Sequence, residues 1–439
     1  MAGFYAPMKK SNGEKMPKKA LITILGTSGD LTKNKADYQI NGKNTKFYNT
    51  LALLIQEYSP EYEIIVFYTD IAKKKNAEIL NHHKQNDPQF SSFDIDGLFK
   101  KGVYIKDEND FSQIFSQINQ TISNEAYNKI IIDITHGFRH LPVLATIDMV
   151  IQNFSNPNKI EKILFAKEVE KLTKYEIIDL KEYLDLANIS FIMTSFNDNY
   201  TITNHINAGK KYESLLRALK TFSNNIMALN INSLLPDSTQ NLINELQKLT
   251  DINDIAIKSQ ADKLQAYLKE LLNVYKNNEM FETYYFLAKD LIGKNYMLLG
   301  LILLYEGVRD YVVYKMFEAK NDLMSKVEEY YELDYNNRNR PYDEYAIREF
   351  CMGLRFKEKN KEYKNILNKN QKFLKNQYKE LYTAFYEIEK INQIKKFFKN
   401  IDEIRNSLSH ANSDESIINS QDKIKGFLND FKQLILNQN

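Results

Sequence analysis

Apolar and polar positions follow two rhythms, one in each half of the chain. Residues 20–26 (ALITILG) form a short apolar run closed by Gly26-Thr27-Ser28-Gly29-Asp30. A run too short for a helix and ended by glycines predicts a buried parallel strand. Asn41-Gly42 predicts a tight hairpin turn. From Lys46 through Tyr58 the spacing of Leu51, Leu54 and Ile55 predicts a helix. Further strands are expected at 62–70, 102–107, 129–134, 162–167 and 174–180, with a polar helical stretch after the first of these and a helix over 111–122. Another helix is expected after Pro142, which stands where a first-turn proline belongs. Continuous apolar strands alternating with helices predict an α/β, Rossmann-like domain with a parallel-type sheet.

Around Asn197 to Asn204 the alternation stops, and the sheet domain is expected to end there. Beyond it apolar residues recur at helical spacing, predicting an all-α half. Residues 284–316 read as one strongly apolar helix, interrupted by Glu306, Arg309 and Asp310. Those charges lie either at a solvent edge or paired inside a site. Arg338 and Arg340 are expected on a loop surface, with RNA phosphate contact as the alternative. Between Arg355 and Lys399 thirteen Lys or Arg face five Glu, a local charge of +8 interleaved with Phe and Tyr. That composition suits a nucleic-acid backbone and unstacked bases. The spacing of Tyr378, Tyr382, Phe385 and Ile388 equally suits a core face with solvated lysines.

Composition narrows the classes. With 439 residues, two domains are expected. A net charge of +2 announces no global field for nucleic acid, so any basic surface is local. The single cysteine, Cys351, excludes a disulfide framework or a Cys-based zinc site and is expected to be buried. The polar start lacks the apolar core of a signal peptide, and no apolar stretch reaches membrane-spanning length. A cytoplasmic protein is expected.

Candidate chemistry gathers in three places. Two strand ends carry small and hydroxyl residues, Gly26-Thr27-Ser28-Gly29 and Thr135-His136-Gly137, followed by Phe138, Arg139 and His140. In an open α/β sheet ligands sit beyond the carboxyl ends of strands, where helix N-termini favour anions. Neither loop is a G-x-x-x-x-G-K-[ST] or G-x-G-x-x-G signature, so a P-loop NTPase and a dinucleotide enzyme are disfavoured. The third place is Asp402 to Asn412 (DEIRNSLSHAN), with Arg405, Asn406 and His410. Guanidinium grips phosphate and imidazole titrates near neutrality, so the pair suits acid–base work on a phosphodiester; both could also be ordinary helix surface. On an ideal helix they lie roughly 140° apart. A second copy packed through Ile401, Ile404, Leu408 and Ala411 about a twofold axis would bring two such sets into one cleft. No acidic cluster suggests two-metal hydrolysis, and no metal site is expected. His82 and His83, in a polar stretch, are expected on a solvated helix or loop, and His205 on linker surface.

Arg405-Asn406-x-x-x-His410 resembles the R-x4-6-H motif of HEPN ribonucleases. The first half resembles the CARF (CRISPR-associated Rossmann-fold) sensor domain through Gly26-Thr27-Ser28-Gly29, the Tyr38-Gln39-Ile40-Asn41-Gly42-Lys43 segment and Asp133-Ile134-Thr135-His136-Gly137-Phe138-Arg139-x-Leu141-Pro142. Together they resemble the CARF–HEPN ancillary ribonucleases of type III CRISPR systems. The resemblance implies a polar N-terminal segment (1–19), a CARF sensor (20–200), a helical connector (201–280) and a HEPN ribonuclease domain (281–439). It further implies a homodimer in which paired CARF domains bind a cyclic oligoadenylate activator, and paired HEPN domains cut single-stranded RNA without metal or cofactor; two symmetric pockets match the fourfold ring of tetra-adenylate, and a sixfold ring also satisfies a twofold axis. Products would be 2′,3′-cyclic phosphates. Gly26, Thr27, Ser28, Gly29, Thr135, His136, Gly137, Phe138 and Arg139 would bind the activator; Arg405 and His410 would cleave, with Asn406 supporting. Two alternatives stay open: a sensor without RNase activity that regulates another effector, and a ring nuclease in which Thr27, Ser28, His136 and His140 contribute to degrading the messenger.

Overall fold

The computed structural model of the chain describes residues 18–136, 140–156, 158–202, 209–249, 255–318, 325, 344–354, 380–409 and 417–438. Two compact units divide it: residues 1–194 with 202–214, and residues 195–201 with 215–439.

The first unit is a mixed eight-stranded sheet between helices. Its strands are β1 (Lys18–Ile24), β2 (Ala36–Ile40), β3 (Lys43–Phe47), β4 (Glu63–Tyr68), β5 (Val103–Tyr104), β6 (Tyr127–Asp133), β7 (Ile160–Glu170) and β8 (Lys174–Asp179). Its helices are α1 (Thr50–Tyr58), α2 (Asp70–Asn86), α3 (Ile95–Lys101), α4 (Phe111–Ser123), α5 (His140–Ser155) and α6 (Lys181–Asn199). The order is β3-β2-β8-β7-β6-β1-β4-β5. The β2–β3 and β7–β8 pairs are antiparallel and the others parallel. The central strands are apolar on both faces because both are covered. Leu21 and Ile131 point to one cluster with α1, α2 and α3, while Ala20, Ile22, Ile130 and Ile132 point to the other with α4 and α5. Each such Leu or Ile side chain, fully buried, contributes about 1.5–3 kcal/mol.

The hairpin forms at Asn41-Gly42, whose φ values of 50° and 76° are those of a primed turn. Its second strand takes residues 43–47, so the helix expected from Lys46 begins only at Thr50, where the Asn49 side chain accepts from Ala52 N. Pairing with β2 overrides helical spacing there. The strand expected over 102–107 shrinks to two residues at the sheet edge.

The second unit is helical in every described element. The expected single helix over 284–316 is two, Met280–Gly293 and Met297–Phe317, joined by a tight turn with Asn295 at φ 66°. Both are apolar, so the pattern alone did not reveal the break. Met297–Phe317 is the central helix, packed by Met280–Gly293, Glu344–Gly353, Ile391–Ser409 and Ile417–Leu434. It is buried on nearly all sides, which explains why its apolar residues form no single stripe. Gly307 admits the Phe431 ring, whose Cζ would lie 3.0 Å from an added Cβ. Among the described residues no helix is long and apolar enough to cross a membrane.

Candidate functional site

β1 and β6 are neighbouring parallel strands, with Thr23 opposite Asp133. After the β2–β3 hairpin the chain continues to β4 and β5 on one side of β1 and returns to β6 on the other. Their carboxyl ends therefore open the kind of crevice in which α/β sheets bind ligands. The loops that leave them are the two singled out by sequence, and the fold brings them together: Ser28 Oγ lies 3.2 Å from His136 Nε2.

A buried carboxylate organises this end. Asp133 Oδ2 accepts from Thr23 Oγ1 at 2.7 Å, and Oδ1 accepts from Thr135 N at 3.1 Å and from Thr135 Oγ1 at 2.5 Å. Thr135 Oγ1 in turn accepts from Ala166 N on β7 at 2.9 Å. The acid thus ties three adjacent strands at the point where the β6 loop begins. Burial holds the His136 imidazole below its ordinary range, with the Asp133 charge opposing. A neutral His136 at pH 7 can accept a proton or donate a hydrogen bond, depending on tautomer.

The first loop rests on helix α2. Asn76 Nδ2 donates to Gly26 O at 2.9 Å, while Asn76 Oδ1 accepts from Asn49 Nδ2 at 2.9 Å. Gly29 has φ 97°, and a Cβ there would lie 2.7 Å from both Tyr48 O and Ile79 Cδ1. That close approach and left-handed backbone require glycine. Gly26, Ser28, Gly29, Thr135 and His136 are half-buried and Thr27 is exposed, so the surface they line is open to a ligand. Gly137, Phe138 and Arg139 lie outside the described residues, as does the His140 side chain. Tyr38, in the segment that resembles the sensor domain, stacks on Tyr175 with centroids 5.2 Å apart. Its phenol is pushed up by burial, then by Tyr175 and Asp133.

Sequence reading missed Asp133, Thr23, Asn76 and Asn49 as parts of the site's frame. Asp133 had a signal: a carboxylate closing a strand that is otherwise buried and apolar is rarely left without a purpose. The asparagines had none. His83 also departs from expectation. It is fully buried on α2, with Nδ1 2.5 Å from Asp87 Oδ2 and its ring against Phe47, Tyr48 and Phe90. The hydrophilic neighbours in sequence hid a helix face that turns His83 inward. His205, Arg338, Arg340 and Tyr378 lie outside the described residues.

In the helical unit Arg405 sits near the end of the Ile391–Ser409 helix, and His410 lies outside the described residues. Arg405 Nη2 donates to Asp402 Oδ1 at 2.7 Å and to Asn406 Oδ1 at 3.2 Å. Nε and Nη1 have no hydrogen-bond partner among the described residues, so donors remain on the guanidinium for a phosphate. The Arg405 Cζ stands 4.0 Å from the centroid of the Tyr305 ring. Ile401 is buried inside its own unit, while Ile404 and Leu408 are half-buried and Ala411 is outside the described residues. The stripe expected to face a second copy is therefore partly used within the chain.

Glu306, Arg309 and Asp310 prove to be paired inside the bundle. Arg309, buried, donates to Glu306 Oε1 at 2.9 Å. Arg348 grips Asp310 Oδ1 through Nε at 3.2 Å and Nη2 at 2.9 Å and donates to Tyr284 Oη at 3.2 Å. Cys351 is buried as expected, its thiol pushed up to about 12 by burial. Among the described residues no cluster of three His, Cys, Asp or Glu side chains could hold a metal ion.

Residues 20–175 match the family model described as "CRISPR system endoribonuclease Csx1, CARF domain". The sheet unit is therefore that of a CARF domain, carried here ahead of a helical region. The chain thus carries a CARF domain over residues 20–175. It is also similar to the solved structure of Enterococcus italicus Csm6 bound to cyclic hexa-2′-fluoro-hexa-dAMP, at 13% identity over 95% of this chain and 97% of that one, with a TM-score of 0.37. A likeness so distant carries no argument about this chain. No curated protein matches it.

Proposed function

We propose that this protein is a CRISPR defence effector in which the CARF domain senses a cyclic oligoadenylate and the helical half, as a HEPN ribonuclease, cuts single-stranded RNA in the cytoplasm. The observation that carries the reading is the Ser28–His136 contact, which joins two strand-end loops into one open polar surface inside a domain that matches CARF. Thr27, Ser28, Thr135 and His136, with Gly26, Gly29 and the Gly137-Phe138-Arg139 turn, would receive the phosphates and bases of the activator.

For cleavage, the ribose 2′-OH would attack the adjacent phosphorus. Arg405 would hold the phosphate and stabilise its developing charge, His410 would move a proton, and Asn406 would steady Arg405. A 2′,3′-cyclic phosphate and a 5′-hydroxyl would result, with no metal required.

A homodimer is supported by an exposed apolar row on α5, Val143, Ile147 and Ile151, beside Tyr183 and Phe191 on α6. α5 and α6 are joined by the buried Asn153–Asn188 hydrogen bond. Because α5 follows directly on the Thr135–Arg139 loop, pairing through this row would bring two activator-binding loops to one twofold axis, where a ring of even symmetry fits. Cyclic tetra-adenylate is the ring we assign, with one adenylate pair per loop set. The four regions 1–19, 20–200, 201–280 and 281–439 would serve as tail, sensor, connector and ribonuclease.

The test incubates the full-length protein with a labelled single-stranded RNA and cyclic tetra- or hexa-adenylate, with and without chelator. Cleavage that depends on one ring and survives the chelator supports the proposal; no cleavage with either ring defeats it. The Ser28–His136 pair also favours a second reading, ring nuclease activity in the sensor. Its sign would be linearisation of the cyclic oligoadenylate with no RNA added.

A further inference from the structure

The guanidinium of Arg405 has an unusual support. Tyr305, on the Met297–Phe317 helix, is only 8% exposed. Its ring centroid lies 4.5 Å from that of Phe398, with the planes 28° apart, and 4.0 Å from Arg405 Cζ. A charged carbon can come within 4.0 Å of a ring centroid only over a face. A phenyl ring and a guanidinium this close cannot share one face, so the Tyr305 ring is held between them. Phe398 and Arg405 are seven residues apart on the Ile391–Ser409 helix, about 10.5 Å along its axis, which leaves the space one inserted ring needs. Arg309, one turn on from Tyr305, brings its Cζ to 5.4 Å of the same ring and is itself paired with Glu306.

The other partners of Arg405 cannot orient it relative to the fold. Asp402 and Asn406 belong to the same helix and move with it, and the ion pair with Asp402 is part-exposed. Such pairs contribute little and leave a long side chain free among rotamers. Stacking on the face of a buried ring is directional and ties the guanidinium to the neighbouring helix.

We propose that Tyr305 is the positioning residue for Arg405, a platform that aims the free donors of the guanidinium at the scissile phosphate. The proposal rests on the reading of Arg405 as an RNA-cleaving residue. The phosphate's grip on Arg405 tightens as charge builds in the transition state, so losing the platform lowers kcat more than it raises KM.

The experiment measures cleavage of labelled single-stranded RNA by the full-length protein with cyclic tetra- or hexa-adenylate, in Tyr305→Phe, Tyr305→Leu and Arg405→Ala variants. Tyr305→Phe keeps the face and is expected to stay within about threefold of the parent, whereas Tyr305→Leu should lose about tenfold in kcat with KM changed less than about twofold. Should Tyr305→Leu fail to fold, mono-, di- and trifluorinated phenylalanine at position 305 keep the shape and weaken the ring's negative face stepwise. The expected result is a stepwise fall in kcat, which a purely space-filling ring would not produce. A flat fluorination series, or a Tyr305→Leu protein with parental kcat beside an inactive Arg405→Ala, overturns the platform alone. A fully active Arg405→Ala overturns the site assignment, and the platform with it.

Discussion

The strand-end loops of the sheet unit and the Arg405 segment of the helical unit, which under the proposed function would both meet a phosphorylated ligand, hold their polar groups by opposite means. In the sheet unit a buried carboxylate, Asp133, satisfies two hydroxyls and a backbone N–H, and two asparagines prop the facing loop. The Thr23–Asp133 and Asn49–Asn76 bonds are buried, where breaking one leaves a group without water to replace it. In the helical unit Arg405 rests on an aromatic face and a part-exposed ion pair. The first arrangement suits recognition of a fixed shape. The second suits a group that must meet substrate and act on it.

The largest expected effect would break the helical side of that contrast. Arg405→Ala and His410→Ala should each lower activator-dependent cleavage of labelled RNA by about 10²–10⁴-fold, the scale of a positioned acid–base group, with folding and activator binding retained. Undiminished cleavage by either protein would leave the segment as helix surface. Next comes Asp133→Ala, which strands the Thr23 and Thr135 donors and should cost about 1–3 kcal/mol per unsatisfied group in urea unfolding. Asp402→Ala, removing a part-exposed partner of Arg405, should cost less than about 1 kcal/mol. Equal costs for the two aspartates would erase the difference between the sites.

Arg139→Ala sharpens the sensor side. Loss of a charged donor to phosphate should weaken cyclic oligoadenylate binding about tenfold or more by calorimetry, and unchanged affinity would move the pocket elsewhere. The smallest effect is on pH. Burial depresses the imidazoles of His83 and His136, so the folded chain favours their neutral forms. The stability they contribute is present above the unfolded value near about 6.5 and is lost as pH falls through it toward the folded values. Each can tilt stability by at most about 1.4 kcal/mol per pH unit. Thermal melts at pH 7.5 and 5.5 check this, and identical midpoints would sink it.

Much of the sheet unit was legible because its signals are local. Ala20 to Gly26 and Lys129 to Ile134 are apolar whichever face they meet, and Asn41-Gly42 permits little besides a primed turn. The helical half was less legible because a helix buried on all sides has no stripe to read. The break at Asn295 lies between two apolar helices, and the inward face of His83 is set by Phe47 and Phe90, which are remote in sequence.

By itself the sequence determined the strands, the glycine-bearing loops that end β1 and β6, and the residue types able to grip phosphate. Each follows from short-range sterics or from the chemistry of one side chain. Only the tertiary structure decided that β1 lies beside β6, so that Ser28 meets His136, and that Tyr305 stands under Arg405. Those pairings span about a hundred residues of chain, and they come from strand order and helix packing, which no local pattern encodes.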